Sequence, residues 1–81
     1  MMTQKTIGGG RYITTQEIDN PITFINYWQL SYKEGAAVFD VDYVTVRRWF
    51  NGARSPDRGF CLAARTMHQL WELTGKPRIV A

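Results

Sequence analysis

Apolar residues between positions 21 and 74 recur at intervals of three and four, which is the period of a buried helix face. Polar residues that can cap a helix precede three of these stretches: Asn20, Ser31 and Asp42. Pro21 follows the first cap at the position where helices tolerate proline, and Glu34 stands three residues after the second, as in a capping box. The pattern predicts an all-α fold of four to five helices.

The predicted helices are short and closely spaced. Three of them cover residues 21–30, 32–39 and 43–51, and the third is followed by Gly52, which can adopt positive φ. A fourth helix opens at residues 55–57 in the same cap-then-proline order and runs to about residue 73 or 74. Its predicted apolar stripe consists of Phe60, Ala63, Ala64, Met67, Leu70 and Trp71.

The two ends of the chain lack this helical pattern. Three consecutive glycines at residues 8–10 favour a flexible arm. β-Branched and aromatic residues suggest a short strand at residues 11–15 that pairs with residues 78–80, but the favoured alternative is that both segments are irregular. The expected organisation is a flexible N-terminal arm at residues 1–19, a domain at residues 20–75 and a C-terminal tail at residues 76–81.

Composition narrows the class of protein. The 81 residues make one small domain with a net charge of +3 and a pI near 9.4, which suits a polyanionic partner. A single cysteine, Cys61, and a single histidine, His68, give neither a disulfide framework nor a zinc-ligand spacing. There is no membrane-length apolar run, no signal peptide and no nucleophile–base pair or acidic dyad. We therefore expect a cytoplasmic, non-enzymatic protein with no cofactor, metal, membrane partner or small-molecule substrate.

Residues 32–52 have the spacing of a helix-turn-helix. Ala36, Val46 and Trp49 stand at i, i+10 and i+13. The first is small where two helices would cross, and the other two share the inward face of the second helix. Residues 40–42 make the turn. In DNA-binding proteins of this kind, the second helix lies in the major groove.

Residues 32–56 resemble the helix-turn-helix of the Cro and phage-repressor family, also called lambda-repressor-like or XRE-type. The matching positions are Ala36, the turn Asp40-Val41-Asp42, Val46, Trp49, Asn51-Gly52, Arg54 and Pro56. Three positions depart from the usual pattern: Asp40 replaces the turn glycine, Gly35 a leucine, and Tyr32 a glutamine that often contacts phosphate.

The resemblance implies a division of roles on double-stranded DNA. Arginine can bind guanine through two parallel hydrogen bonds, and valine can pack against a thymine methyl group. The expected base-reading residues are Tyr43, Val44, Arg47 and Arg48. The expected phosphate contacts are Lys33, Thr45, Asn51 and Arg54, with a base as a second option for Thr45.

The favoured interpretation is a sequence-specific DNA-binding transcriptional regulator, a small Cro-like repressor of phage or mobile-element type. The alternative is a protein-interaction module on the same fold, such as an antirepressor or adaptor. The exposed arginines favour DNA, whereas the nearby Asp40, Asp42 and Asp57 keep the local charge small. Since family members usually bind as dimers, we expect a homodimer. Its candidate surfaces are Leu62, Thr66, Gln69 and Leu73 on the fourth helix, and the terminal segments around Ile13, Ile79 and Val80.

Several of these residues have plainer alternative roles. Arg47 and Arg48 could form a solvated helix face, and Tyr43 could pack on Trp28 or Tyr32. His68 is expected to be an ordinary surface or boundary residue, and Cys61 a small buried hydrophobe. A further cluster could line a ligand pocket but is expected to be core: Trp28, Phe60, Met67 and Trp71.

Overall fold

The computed structural model describes residues 18–81, which form four α-helices and no strand. The all-α prediction is therefore confirmed for this part of the chain. Arg78 to Val80 are not in a strand, which agrees with the favoured interpretation of an irregular segment and rules out the alternative strand there. The predicted strand at residues 11–15 lies outside the described residues. The helices are α1 (Pro21–Tyr27), α2 (Tyr32–Phe39), α3 (Tyr43–Phe50) and α4 (Arg58–Thr74).

Two capping boxes fix the starts of α1 and α2. The Asn20 side chain accepts a hydrogen bond from the Thr23 amide at 3.0 Å, with Pro21 at the first helical position. At α2, the Ser31 hydroxyl accepts from the Glu34 amide at 3.0 Å, and the Glu34 carboxylate accepts from the Ser31 amide at 2.8 Å. Each box satisfies amides that have no partner inside the helix. Both predicted starts are confirmed.

Helix α1 ends earlier than residue 30, where the sequence predicted its end. Trp28 is its C-cap, and Gln29 takes a left-handed conformation with φ 56°. The Leu30 amide then donates to the Ile25 carbonyl at 3.0 Å, which turns Leu30 into the core. The predicted extension is wrong because a left-handed residue closes the helix and still leaves Leu30 buried.

The start of α4 also differs from the prediction. Asp57, and not Ser55, is the N-cap, and its carboxylate accepts a hydrogen bond from the Phe60 amide at 3.3 Å. Pro56 therefore precedes the helix. The negative charge of the carboxylate also interacts favourably with the positive end of the helix dipole, and a neutral serine hydroxyl lacks this interaction. At the other end, α4 stops at Thr74, and Gly75 follows with φ 92°. The predicted end of this helix is therefore confirmed.

The core is a cluster of aromatic rings around Phe24, which is fully buried. Its ring centroid lies 4.9 Å from that of Trp71 and 5.5 Å from that of Phe39. Phe60 and Met67 are partly buried against the core, as expected, but Leu70 is exposed, which corrects its place in the predicted stripe. Aromatic rings bury a large area each, and this is how a small domain obtains a sufficient core.

The core extends beyond the predicted domain boundaries at both ends. Ile18 is buried, although residues 1–19 were assigned to the arm, and Ile79 from the predicted tail packs partly against the core. The rest of the predicted arm lies outside the described residues. Cys61 is half-buried at the edge of α4.

His68 joins α1 to α4 through hydrogen bonds, a larger role than sequence suggested. The Trp28 indole N–H donates to His68 Nδ1 at 3.1 Å. His68 Nε2 lies 3.9 Å from the Glu72 carboxylate, which also accepts from the Tyr27 hydroxyl at 2.9 Å. The hydrogen bond between Trp28 and His68 could not be predicted from local sequence patterns, because the two residues stand 40 positions apart.

The hydrogen bond to Glu72 raises the pKa of the Tyr27 hydroxyl, with burial and the carboxylate charge as lesser causes. A raised pKa in the folded state means that the native protein holds this proton more tightly than the unfolded chain. The stabilising contribution is therefore complete below about pH 10 and is lost as the pH rises through the folded pKa. We expect Tyr27→Phe to reduce the alkaline loss of stability, measured as the unfolding midpoint in urea at a series of pH values. Tyr43→Phe is the matched control, and an identical alkaline slope in wild type and Tyr27→Phe would contradict the assignment.

Candidate nucleic-acid interface

A tight turn joins α2 to α3 at the residues where the sequence predicted one. Asp40 ends α2 in the left-handed conformation, with φ 56° and ψ 50°. This is the position at which the resembled family has glycine, and aspartate tolerates it better than most residues. The Val41 amide donates to the Ala36 carbonyl at 3.0 Å, which closes the turn.

The helix crossing is built from the residues that the spacing indicated. Ala36, Val46 and Trp49 are buried, and the Trp49 ring lies 6.0 Å from Phe39 and 5.2 Å from Phe60, measured between centroids. Because Val46 and Trp49 point inward, the opposite side of α3 faces away from the domain.

Gly35 stands where the resembled pattern has leucine, and the packing around it explains the difference. A Cβ atom on Gly35 would lie 2.6 Å from Cδ1 of Ile25 and 3.9 Å from Cγ1 of Val46. Ile25 is itself buried, so α1 fills the volume that a side chain at position 35 would occupy. The glycine is therefore required by packing, although it lowers the helix propensity of α2.

We expect Gly35→Ala to destabilise the domain, because an overpacking cost of about 1–3 kcal/mol exceeds a helix-propensity gain of about 1 kcal/mol. Ile25→Val removes the obstructing methyl group and alone costs about 0.5–1.5 kcal/mol. The double variant is expected to be more stable than the sum of the two single effects. Urea unfolding of the four proteins measures this coupling, and strict additivity would show that the two side chains do not compete for space.

The outer face of α3 carries all four predicted base-reading residues. Tyr43 and Val44 are each 44% exposed, and Arg47 and Arg48 are exposed. At about 100° per residue, these four side chains spread over one side of the helix, opposite Val46 and Trp49. The structure thus brings the predicted set together on one solvent-facing surface, which we call the α3 face.

The arginines of the α3 face have no acidic partner among residues 18–81. In that stretch no arginine or lysine lies within 4.0 Å of a carboxylate, and the sole contact of this kind involves a histidine, His68–Glu72. Asp40 and Asp42 lie near the start of α3 without contacting Arg47 or Arg48. Both guanidinium groups therefore have their hydrogen-bond donors available to solvent or to a ligand.

The predicted phosphate contacts surround the α3 face but are not equivalent. Lys33, Asn51 and Arg54 are exposed. The Asn51 side-chain oxygen accepts from the Ala53 amide at 2.9 Å, which leaves its amide NH₂ as the donor for a ligand. The Arg54 amide donates to the Arg48 carbonyl at 3.2 Å, which holds the loop against the end of α3. Thr45 is half-buried, and together with Arg54 it lines a small cavity of about 230 Å³. Val44 does not line this cavity.

Tyr43 does pack on Tyr32, as one alternative proposed, yet it stays on the α3 face. The centroids of these two rings lie 6.1 Å apart, and Tyr32 lies 4.9 Å from Phe50. The three rings limit the orientations of Tyr43 without covering it. The contact of Tyr32 with Phe50 was not predicted, because these residues stand on different helices and no local spacing links them.

Asp42 occupies the N-cap position of α3 as predicted, but its carboxylate makes no capping hydrogen bond. The Thr45 amide, which such a cap would satisfy, donates instead to the Asp42 backbone carbonyl at 3.0 Å. The Asp42 carboxylate is consequently exposed beside the start of α3.

Comparisons with protein-family models, with curated proteins and with solved structures found no match to this chain. Within residues 18–81, the histidine, cysteine and acidic side chains form no group of three that could hold a metal ion. None of the four described helices has the length and apolarity required to cross a bilayer.

Proposed function

We propose that this protein is a sequence-specific, double-stranded DNA-binding transcriptional regulator of the lambda-repressor-like class, with α3 as its recognition helix. The observation that carries the proposal is the α3 face, where two arginines without acidic partners stand beside an exposed tyrosine and valine. An α-helix fits the width of the DNA major groove, and arginine is the side chain that most often reads guanine there.

Each residue of the α3 face has a distinct role in the proposal. Arg47 and Arg48 donate to the O6 and N7 atoms of guanine, and Val44 packs against a thymine methyl group. Tyr43 contacts a base edge, and the neighbouring ring of Tyr32 holds the Tyr43 side chain in the orientation for this contact. Lys33, Asn51 and Arg54 hold the flanking phosphates, with Thr45 behind them, and so fix the helix in register.

Regulation in this proposal comes from occupancy alone. A small domain bound to an operator blocks access of RNA polymerase, as phage and mobile-element repressors do. This part of the proposal is drawn from the resemblance of residues 32–56 and from the size of the chain, 81 residues.

A protein-interaction module, such as an antirepressor or adaptor, is the second candidate. It is favoured by the exposed Tyr43 and Val44 and by the carboxylates of Asp40 and Asp42 at the same end of α3. Acidic groups beside a recognition helix repel phosphate and weaken non-specific binding. The two candidates differ in whether duplex DNA binds to the α3 face.

Selection of bound sequences from a random duplex pool, followed by footprinting of the enriched site, tests the proposal. We expect enrichment of a G-containing site, protection of the major groove, and weaker binding at higher salt. Arg65→Ala, an exposed arginine on α4, is the matched control for the arginines of α3 and should leave binding unchanged. Absence of enrichment, together with unchanged weak binding in Arg47→Ala and Arg48→Ala, would favour the interaction module.

A further inference from the structure

A groove with a volume of about 540 Å³ lies between the end of α2 and the start of α4. The side chains that line it are mostly apolar and include Val38, Phe39, Phe60, Ala63 and Met67. Sequence analysis assigned Phe60 and Met67 to the core, but the structure leaves both only partly buried, and they also border the groove. None of the residues that line the groove belongs to the α3 face.

Helix α4 contributes small side chains to the wall of the groove. At about 100° per residue, Gly59, Ala63 and Thr66 lie on one side of the helix, next to Phe60 and Met67. Apart from the helix backbone and its chain neighbours, a Cβ atom on Gly59 would meet only a carboxylate oxygen of Asp57, at 3.5 Å. The groove is therefore open on this side because the side chains there are small.

Two carboxylates, those of Asp40 and Asp57, stand at the border of the groove. Both are exposed, and among residues 18–81 no arginine or lysine lies within 4.0 Å of either one. Asp57 uses its Oδ1 atom to accept from the Phe60 amide, which leaves its other oxygen for a ligand. Arg58 follows Asp57 in the chain but does not line the groove. The border is therefore acidic, although the net charge of the chain is +3.

We propose that this groove is a binding site for a small apolar organic cation, a molecule with an aromatic or branched aliphatic body and one ammonium group. The body packs against Phe60 and Met67, and the ammonium group lies at the border between the carboxylates of Asp40 and Asp57. Small-molecule sites typically have volumes of about 300–1,000 Å³ and an apolar lining with a few polar groups that fix the orientation of the ligand. The groove has this size and this lining.

Charge and size favour this class of ligand over other occupants. The two carboxylates repel anionic ligands and the phosphates of DNA, whereas a neutral apolar molecule would leave both carboxylates without a partner. A protein partner usually covers about 800 Å² of surface, which is far more than the groove offers. The site is therefore a second binding surface, separate from the α3 face and independent of the proposed DNA binding.

Titration of the full chain with phenylbutylammonium, followed through the methyl NMR signals of the protein, tests the site in the absence of DNA. We expect a Kd of about 1 mM or below for a probe of this size. The methyl signals of Val38, Ala63 and Met67 should shift together, and those of Val44 on the α3 face should not shift. Phenylbutanol, which has the same body without the charge, should bind about threefold to tenfold more weakly, and phenylbutyrate more weakly still.

Asparagine at positions 40 and 57 removes the two charges and keeps the local structure. It tolerates the left-handed conformation of residue 40, and it caps a helix as well as aspartate does. The double variant Asp40→Asn with Asp57→Asn should bind phenylbutylammonium no more tightly than phenylbutanol, with the affinity for phenylbutanol unchanged. Asp42→Asn is the matched control, because its carboxylate is exposed nearby in the chain but does not line the groove. It should leave both affinities unchanged.

Ala63→Leu tests the apolar part of the site. The larger side chain occupies space in the groove, so this variant should weaken the binding of phenylbutylammonium and of phenylbutanol about tenfold or more. Circular dichroism and urea unfolding check that Ala63→Leu and the asparagine variants are folded.

Three results would each overturn the inference: no shift of the groove methyl signals at about 10 mM phenylbutylammonium, equal binding of the three probes, or an effect of Asp42→Asn as large as that of the double variant. An acetylated leucine–phenylalanine–lysine peptide that bound more tightly than phenylbutylammonium would indicate a protein partner and would overturn the small-molecule assignment. Because the titrations contain no DNA, their failure would leave the proposed DNA binding standing.

Discussion

Trp49→Ala is expected to unfold the domain or to destabilise it severely. The substitution removes an aromatic ring that contacts Phe39 and Phe60 in the core, which costs about 3–5 kcal/mol. Small domains are stable by roughly 5–15 kcal/mol, so this loss is a large part of the total free energy of unfolding. Thermal unfolding followed by circular dichroism measures the loss.

Val44→Ala is the control for Trp49→Ala, because Val44 is on the same helix but exposed. It should change stability by no more than about 0.5 kcal/mol. If Trp49→Ala melted within a few degrees of wild type, the ring would not be part of the core. The inward face of α3 would then be assigned wrongly, and the α3 face with it.

The second large effect separates base readout from positioning on DNA. Arg48→Ala should cost about 1–3 kcal/mol on the selected site and should flatten the preference at one base pair. Arg54→Ala should weaken binding to all sequences alike and should lower the salt slope by about one unit per half-site. Arg48 projects from α3, whereas Arg54 lies in the loop beyond Gly52. In the proposed complex, Arg48 would therefore enter the groove and Arg54 would lie level with the phosphates.

Titrations of duplex DNA at several salt concentrations, with the selected site and single-base variants, measure both effects. Arg65→Ala on α4 provides the comparison for general loss of positive charge. The opposite outcome, in which Arg54→Ala alters base preference and Arg48→Ala does not, would show that α3 is docked incorrectly. If neither variant changed binding, the interaction module would become the better proposal.

Local chemistry explains which parts of the fold could be predicted from sequence. The capping boxes at Asn20 and Ser31 involve residues three positions apart, so the sequence shows both partners. Asp40 was noted as a departure from the glycine of the resembled pattern, and its left-handed conformation is one that glycine adopts readily. If Val46 is assigned to the core, the helical period places Arg47 and Arg48 on the opposite, exposed side of α3.

Features that depend on distant residues were not predictable in this way. The left-handed Gln29 ends α1 although glutamine is a good helix former, because the turn returns Leu30 to the core. Asp57 replaces Ser55 as the cap of α4, and both residues have suitable side chains. The bond between Trp28 and His68 joins α1 to α4 across 40 positions, and no local pattern indicates it.

The space beside Gly35 of α2 is bordered by Ile25 of α1 and by Val46 of α3, so three helices come together there. Helix-turn-helix motifs are often treated as two-helix units that can be exchanged between proteins. In this chain α1 takes part as well, because the Ile25 side chain fills the space beside Gly35 of α2. Grafting residues 32–52 alone onto another scaffold would leave an empty volume beside Gly35, and the angle between the two helices would lose its determinant.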